Sequence, residues 1–311
     1  MFSASVFTHD DYILINKISG LVMCPIFAFS AIGNSIVIVA TITSKKLRST
    51  CCLFIAIQAT CELIYAASPF AFLYFTFTNK THTHRQCYWI QFIPLGAANM
   101  AIIMMPLIAV DRFLSSKAPL WYHKKNSKLY TWILLCCPVF FEVVIKTIGF
   151  LCIDEEEVVC IVPTGLTGIA GQLWGFSQIP VAVIVLILYV SIKLRTQEEP
   201  YPAHINSSLQ IIMAAYLCGY ATAAVVNFTG AALNDMYKRD VRFIMTMTGF
   251  SPYAMNTGMT VSGIFAAINT ASPFVILYFK SSLYRTEINA LFGLKPKPLV
   301  SSIEHNKSNG N

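Results

Sequence analysis

Charged residues inside apolar stretches are the first candidates for chemistry in this sequence. Glu62, Glu142 and Lys146 each lie in a long stretch that is otherwise almost free of charge. Charged side chains are costly in such surroundings, so they are usually paired or functional. Glu62 is alone in its stretch, and we expect it either to hold a sodium ion or a proton, or to be hydrogen-bonded in its neutral form. Glu142 and Lys146 are four residues apart, and we expect them to pair on one helix face, with ligand contact as the alternative.

Patterns typical of enzymes are missing from the sequence. It contains no glycine-flanked serine elbow, no histidine pair of a metalloprotease helix and no glycine-rich phosphate loop. The six histidines lie mostly between the apolar stretches, and the cysteines lack the spacing of a zinc site. We therefore predict that the protein is not an enzyme, and that it has no metal and no cofactor other than the sodium ion considered for Glu62.

The composition indicates that most of the chain lies in a lipid bilayer. Of the 311 residues, 56% are hydrophobic and only 12% are charged, whereas about a quarter of the residues of a soluble domain are charged. The shortage of charge also excludes intrinsic disorder for the chain as a whole. The net charge of +7 is small for the size of the chain, and we predict no nucleic-acid partner.

Seven stretches are long enough to cross about 30 Å of hydrocarbon as α-helices. Unbroken apolar runs favour helices over the alternating strands of a membrane barrel. We predict an all-α membrane protein, a bundle of seven transmembrane helices in one domain over residues 1–293, with a disordered cytoplasmic tail over residues 294–311. The predicted spans are Ile18–Ser44, Ser49–Asn79, Gln86–Val110, Leu129–Ile153, Val158–Ile192, Pro200–Asn234 and Phe243–Phe279.

The distribution of lysine and arginine predicts which ends of the spans face the cytosol. With the N-terminus outside and the C-terminus inside, the inner segments hold more than twice as many of these residues as the outer segments. Asn79, in an Asn-Lys-Thr sequon, then falls in the first outer loop and is a candidate for glycosylation. After the seventh span we predict a short amphipathic helix on the inner membrane surface, with an apolar face formed by Leu283, Ile288, Leu291 and Phe292.

Three cysteines fall at the outer ends of predicted spans. Cys87 lies at the outer mouth of the third span, and Cys152 and Cys160 flank an acidic run in the second outer loop. The outer side of a membrane is oxidising, so a disulfide is permitted there. We expect the pair Cys87–Cys160, and Cys87–Cys152 is the competing pair.

Several spacings taken together resemble those of rhodopsin-like G-protein-coupled receptors. Gly33-Asn34 looks like the Gly-Asn pair of that family's first helix, and Glu62 stands where the family has its sodium-site aspartate. Cys87 precedes Arg112 by 25 residues, the family's separation between its third-helix cysteine and the arginine of its Asp-Arg-Tyr motif. Asp111-Arg112-Phe113 stands in the place of that motif.

A narrower resemblance is to the nematode serpentine chemoreceptors of the Srsx class. It rests on four segments of the sequence, which are 110–113, 119–122, 158–163 and 272–280. The end of the seventh span, with Asn269, Pro273 and Tyr278, loosely resembles the Asn-Pro-x-x-Tyr motif of the wider family. The sixth span departs from that family because it lacks the usual tryptophan and proline, and Tyr220 stands as a substitute.

The resemblance implies a chemosensory receptor of the plasma membrane, for example in sensory cilia. Such a receptor detects a small extracellular chemical or a peptide and activates a heterotrimeric G protein, and Asp111 would hold Arg112 in its resting state. A small-solute transporter or a ligand-gated channel is the alternative, although it would require inverted repeats or a polar conduit. The residues implied are Asp111, Arg112, Phe113, Pro273 and Tyr278 for switching and G-protein coupling; Asn34, Glu62 and Asn269 for an intramembrane polar or sodium site; and Asn99, Trp174, Gln178, Tyr220 and Asn227 for the ligand pocket.

Overall fold

The computed structural model describes residues 9–198 and 252–294, together with a few helical positions between 211 and 225. These residues are mostly helical. The helices are α1 (His9–Thr43), α2 (Thr50–Tyr65), α3 (Ser68–Phe77), α4 (His84–Ile90), α5 (Phe92–Lys117), α6 (Pro119–Lys124), α7 (Ser127–Leu151), α8 (Gly168–Glu198), α9 (Pro252–Lys280) and α10 (Ser282–Leu291). Two short strands, β1 (His82–Thr83) and β2 (Glu157–Val158), pair antiparallel with His82 opposite Val158.

Six spans in the described part of the chain are long and apolar enough to cross a membrane. Each overlaps a different one of the seven stretches predicted from the sequence. The other stretch, Pro200–Asn234, falls mostly outside the described residues, and so does the predicted tail beyond Leu294. The six spans are Ile13–Thr43, Thr50–Phe77, Phe92–Lys117, Ser127–Leu151, Gly168–Ile192 and Gly263–Lys280.

Prolines divide two of the predicted helices. The second stretch folds as α2 and α3, with Pro69 in the first turn of α3, and the third folds as α4 and α5, with Pro94 near the start of α5. Proline has no N–H, so it cannot donate to the carbonyl group four residues earlier. Those carbonyl groups belong to Tyr65 and Ile90, the last residues of α2 and α4.

Other helix boundaries also differ from the prediction, and α1, predicted from Ile18, begins at His9. The fifth stretch was predicted from Val158, but β2 and a 3-10 turn over Pro163–Gly165 precede α8, which begins at Gly168 with φ +54°. The third stretch was predicted to end at Val110, yet α5 continues to Lys117. The acidic and basic groups of Asp111 and Arg112 pair with each other, so their charges do not end the helix.

Helix α5 is the central element of the described bundle, since it packs against α2, α7 and α8, while α1 packs against α2, α3 and α9. Large buried apolar residues from α1, α2, α5, α9 and α10 form one core cluster, and a second cluster joins α4, α5 and α7 near the disulfide described below. Long apolar side chains such as Ile42, Phe140 and Ile187 point outward and are more than half exposed. This arrangement suits a bundle whose outer surface meets lipid rather than water.

Helix α10 forms where the amphipathic helix was predicted, and two of its residues pack into the bundle. Ser281 caps its start by accepting a hydrogen bond from the Tyr284 N–H, and Gly293 ends it with φ +67°. Tyr284 and Ile288, one turn apart, are buried in the core cluster. Leu291 and Phe292, which were also assigned to the apolar face, are exposed, as residues directed toward a membrane surface would be.

Gly33 allows α1 and α9 to approach closely. A Cβ atom at position 33 would lie 2.6 Å from Cγ of Phe274 on α9, which is too close for an undistorted contact. Beside it, the Ser30 hydroxyl donates to the Thr270 carbonyl at 2.8 Å. The absence of a side chain at position 33 therefore allows the hydrogen bond between Ser30 of α1 and Thr270 of α9.

Substitution at Gly33 tests this close approach. Gly33→Ala should destabilise the protein by about 1–3 kcal/mol, because the added methyl group overpacks the contact with Phe274. Gly175→Ala is the matched control, since a Cβ there meets nothing within 4 Å and alanine favours a helix. The measurement is thermal unfolding of both purified variants in detergent. Equal melting temperatures would contradict the proposed packing.

Candidate functional site

Buried polar groups connect α1, α2 and α9 near the middle of the bundle. The Asn34 amide donates to the Ser30 hydroxyl at 3.2 Å and to the Thr270 carbonyl at 3.4 Å. On α2, the Gln58 amide donates to the Glu62 carboxyl at 3.1 Å, and Asn34 is a neighbour of Glu62. The structure thus brings together two of the three residues assigned to the intramembrane polar site.

The donor set around Glu62 fits the sodium ion considered from the sequence. The site offers carboxyl, amide and hydroxyl oxygens, which are the ligands of hard cations. Asn34 Oδ1 is buried and accepts no hydrogen bond within the described residues.

Asn269 and Pro273 form a second polar feature, on α9. Proline at 273 leaves the Asn269 carbonyl without its usual helical donor, and the Ser272 hydroxyl donates to that carbonyl at 2.9 Å. The Asn269 side chain is buried against Gly219, where a Cβ would lie 2.5 Å from the Asn269 amide carbon. Tyr278, assigned to switching, donates through its hydroxyl to Asn289 of α10 at 3.1 Å.

Asp111 is the centre of a charged cluster at the end of α5, which we call the arginine end. Its carboxylate is fully buried and accepts hydrogen bonds from Arg112 and from the Tyr122 hydroxyl, both at 2.8 Å. The Lys125 ammonium group lies 3.6 Å from the same carboxylate. Phe113, the third residue of the motif, is half-buried, and the Lys117 ammonium group lies 5.4 Å from its ring centre.

Lys125 is enclosed by aromatic rings. Its ammonium nitrogen lies 3.5 Å from the ring centre of Tyr122 and 3.1 Å from that of Tyr130. Burial lowers the pKa of Lys125, and the neighbouring Asp111 carboxylate opposes that shift. Burial, and then the charge of Asp111, raises the pKa of Tyr122. Sequence reasoning did not assign a role to Tyr122 or Lys125, because only the turn of chain through α6 brings them back to Asp111.

A cavity opens at the arginine end between α2, α5, α9 and α10. Its lining includes Arg112, Cys52, Leu277 and Tyr284. At its rim Lys46 forms an ion pair with Glu287 of α10 at 3.1 Å. Hydrogen bonds from Ser44 and Lys46 lower the pKa of Glu287, so its carboxylate is charged at neutral pH.

A disulfide and a small sheet fix the opposite end of the bundle, which we call the disulfide end. The expected pair Cys87–Cys160 is confirmed, with a Cα–Cα distance of 5.3 Å, and Cys152 is a free thiol. The pairing of β1 with β2 joins the same two loops. Asn79, the predicted glycosylation site, is exposed just before β1 and has φ +51°.

The predicted ligand-pocket residues Asn99 and Trp174 are in direct contact. The Trp174 indole N–H donates to Asn99 Oδ1 at 2.7 Å, and the Asn99 amide donates to Glu142 at 2.7 Å. The expected pair of Glu142 and Lys146 is confirmed at 2.5 Å. This polar chain connects α5, α7 and α8, and sequence reasoning missed its continuity because the three helices are remote in sequence.

The side chains of the remaining predicted pocket residues are not seen to join this chain of polar side chains in the described part of the structure. Gln178 is buried, and its amide donates to the Trp174 carbonyl on its own helix at 3.2 Å. Tyr220 and Asn227 lie outside the described residues. Gly96 permits the polar chain, since a Cβ there would lie 2.7 Å from the Lys146 ammonium nitrogen.

Six long apolar spans in the described part of the chain, with a disulfide at one end and an Asp-Arg pair at the other, indicate a multi-pass membrane protein. The family model for the serpentine type 7TM GPCR chemoreceptor Srsx matches residues 27–292. The match covers most of the chain, so the chain belongs to this family, and the resemblance seen in the sequence is confirmed. The family is one of chemoreceptors rather than a class of enzymes. A search of the curated proteins finds no match.

Removing one partner of the Glu142–Lys146 pair tests its contribution. Glu142→Gln should destabilise the bundle by roughly 3–5 kcal/mol, because it leaves a charged lysine in an apolar region. The double variant Glu142→Gln with Lys146→Met removes both charges and should recover much of the loss. Thermal unfolding in detergent measures both variants. A double variant no more stable than the single one would show that the pairing is not what stabilises this region.

Proposed function

We propose that this protein is a chemosensory receptor that detects a small extracellular chemical and activates a heterotrimeric G protein. Membership of the chemoreceptor family supports this proposal. The observation that carries it is Arg112, which Asp111 holds at 2.8 Å beside a cavity at the arginine end. Because Arg112 is paired with Asp111 but also lines a cavity, it can leave this internal partner and bind an external one.

The proposed mechanism is a shift between two populations of the bundle. In the resting state Asp111 accepts hydrogen bonds from Arg112 and Tyr122, and both bonds hold the arginine end closed. A ligand that binds the open state more tightly shifts the equilibrium toward it. A coupling of about 1–3 kcal/mol between the two sites is sufficient for a useful response. Glu62 and Asn34 would hold a sodium ion in the resting state.

The proposal includes an orientation and a place for the ligand. The N-terminus and the disulfide end face outward at the plasma membrane, such as that of a sensory cilium, and the stretch Pro200–Asn234 forms the sixth of seven spans. The ligand enters from the disulfide end and reaches the region of Asn99 and Trp174. Asn99 is fully buried and bonded on both sides, so a ligand that reaches it must replace one of those hydrogen bonds. Exchange of that kind would couple the ligand to the positions of α5, α7 and α8.

Release of Arg112 should activate the receptor without a ligand. Asp111→Asn removes the charge that holds Arg112, so basal nucleotide exchange on the G protein should rise severalfold. The double variant Asp111→Asn with Arg112→Ala should return exchange to background, because the group that contacts the G protein is then missing. Nucleotide binding in membranes from expressing cells measures both.

Glu155→Gln is the control, since it removes an acidic charge whose partner, Arg85, lies at the disulfide end. It should leave basal exchange unchanged. Equal exchange in the wild type and the Asp111→Asn variant would contradict the proposed switch. A current or flux evoked by a chemical panel, retained in the Arg112→Ala variant without a G protein, would favour the transporter or channel alternative.

Glycosylation at Asn79 tests the orientation of the loop before β1. If the disulfide end is outside, the protein from a eukaryotic cell should lose mass on treatment with a deglycosylating enzyme. The Asn79→Gln variant should have the mass of the treated protein and should not respond to the enzyme. A response that persists in the variant would place the modified residue elsewhere and contradict this assignment.

A further inference from the structure

Three potential metal ligands meet at the disulfide end. His84 is the first residue of α4, and Asp154 and Glu156 lie in the segment between α7 and β2. One ligand atom from each residue lies within 4.8 Å of the others. The sequence analysis predicted no metal site, because these residues come from two loops that are far apart in the sequence.

The hydrogen bonds of His84 direct one ring nitrogen toward this cluster. Its Nδ1 lies 2.9 Å from the Thr164 carbonyl oxygen, which can only accept a hydrogen bond. In the neutral ring Nδ1 therefore carries the proton, and Nε2 carries the lone pair. Nε2 lies 3.8 Å from the Asp154 carboxylate. Histidines that bind metals usually donate one ring N–H to a carbonyl or carboxylate and bind the metal through the other ring nitrogen.

The spacing of the ligand atoms is close to that of a zinc site. Zinc binds histidine nitrogen and carboxylate oxygen at about 2.0–2.2 Å, so two ligands of a tetrahedral ion lie roughly 3.3–3.6 Å apart. The measured separation of 3.8 Å between His84 and Asp154 requires only a small contraction. Asp154 and Glu156 are exposed, and the His84 side chain keeps 14% of its surface accessible, so solvent reaches the cluster.

The surrounding scaffold holds the two loops in place. The His84 backbone N–H donates to the Glu156 carbonyl at 2.9 Å, which extends the pairing of β1 with β2. Thr164, whose carbonyl accepts from His84, is itself fixed by a hydrogen bond from its hydroxyl to the Val159 carbonyl at 2.8 Å. The disulfide Cys87–Cys160 lies within the same structure. Ligands on a supported scaffold of this kind are already close to their binding geometry.

We propose that His84, Asp154 and Glu156 form a binding site for a divalent zinc-like ion, with solvent water as the fourth ligand. The mixed imidazole and carboxylate set favours zinc over calcium or magnesium. The ion would cross-link the two loops beside the disulfide. Access from outside the cell rests on the proposed orientation, whereas binding of the ion does not depend on signalling.

The test measures zinc binding to the full-length protein, purified in detergent, by isothermal titration. His84→Gln and Asp154→Asn should each weaken zinc binding by at least about tenfold, because each removes a ligand. Glu155→Gln is the matched control. Glu155 lies between the two acidic ligands in the sequence, so the variant removes one negative charge from the same loop, but the Glu155 carboxylate pairs with Arg85 at 2.7 Å instead. This control should bind zinc as the wild type does, and millimolar calcium should not displace the ion.

Three results would overturn the proposal. Equal weakening in Glu155→Gln would mean that the acidic loop attracts cations without a defined site. Unchanged binding in both His84→Gln and Asp154→Asn would place the zinc elsewhere, for example at the free thiol of Cys152. Displacement by calcium would contradict an imidazole ligand. Melting temperatures measured without metal verify that each variant folds, and since no step measures signalling, the result is independent of the proposed receptor function.

Discussion

The need to pair polar groups inside an apolar layer determines how these helices fit together. Water is absent from the bilayer core, so each buried polar side chain must find its partner on the same or a neighbouring helix. In this chain Asn34 reaches the Thr270 carbonyl, and Trp174 reaches Glu142 through Asn99. These bonds fix which turns of α1 and α9, and of α5, α7 and α8, lie side by side. Apolar packing fills the remaining space but is less specific about which turns of neighbouring helices are in contact.

The two ends of the bundle are stabilised in different ways. At the disulfide end a covalent bond and a small sheet join the loops, so that end resists rearrangement. At the arginine end the closed arrangement depends on hydrogen bonds and ion pairs around Asp111, which can exchange for other partners. A conformational change is therefore easier at the arginine end. This asymmetry suits a protein that keeps one end fixed while the other end changes its contacts.

The sequence predicted those parts of the structure that depend on local composition. Stretches with little or no charge located the six described spans, and Glu142 and Lys146, four residues apart, pair as expected. The disulfide Cys87–Cys160 was the expected pair, and the structure confirms it over the competing pair Cys87–Cys152. The breaks before Pro69 and Pro94 follow from the missing proline N–H, yet apolar content alone indicated unbroken spans.

Contacts that depend on how the helices turn and pack were not predicted. Tyr122 and Lys125 reach Asp111 because α6 turns the chain back toward α5. Tyr284 of α10 is buried because it packs into a core cluster that is built mainly from other helices. Position in the sequence gave no signal for either contact. Only the packed bundle determines which face of a short helix is covered.

The central claim is that the chain crosses the membrane an odd number of times and presents Arg112 to the cytosol. Different epitope tags on the two termini, probed with antibodies in intact and permeabilised cells, test it most directly. We expect the N-terminal tag to be labelled on intact cells and the C-terminal tag only after permeabilisation. Labelling of both tags on the same side of the membrane would contradict the account.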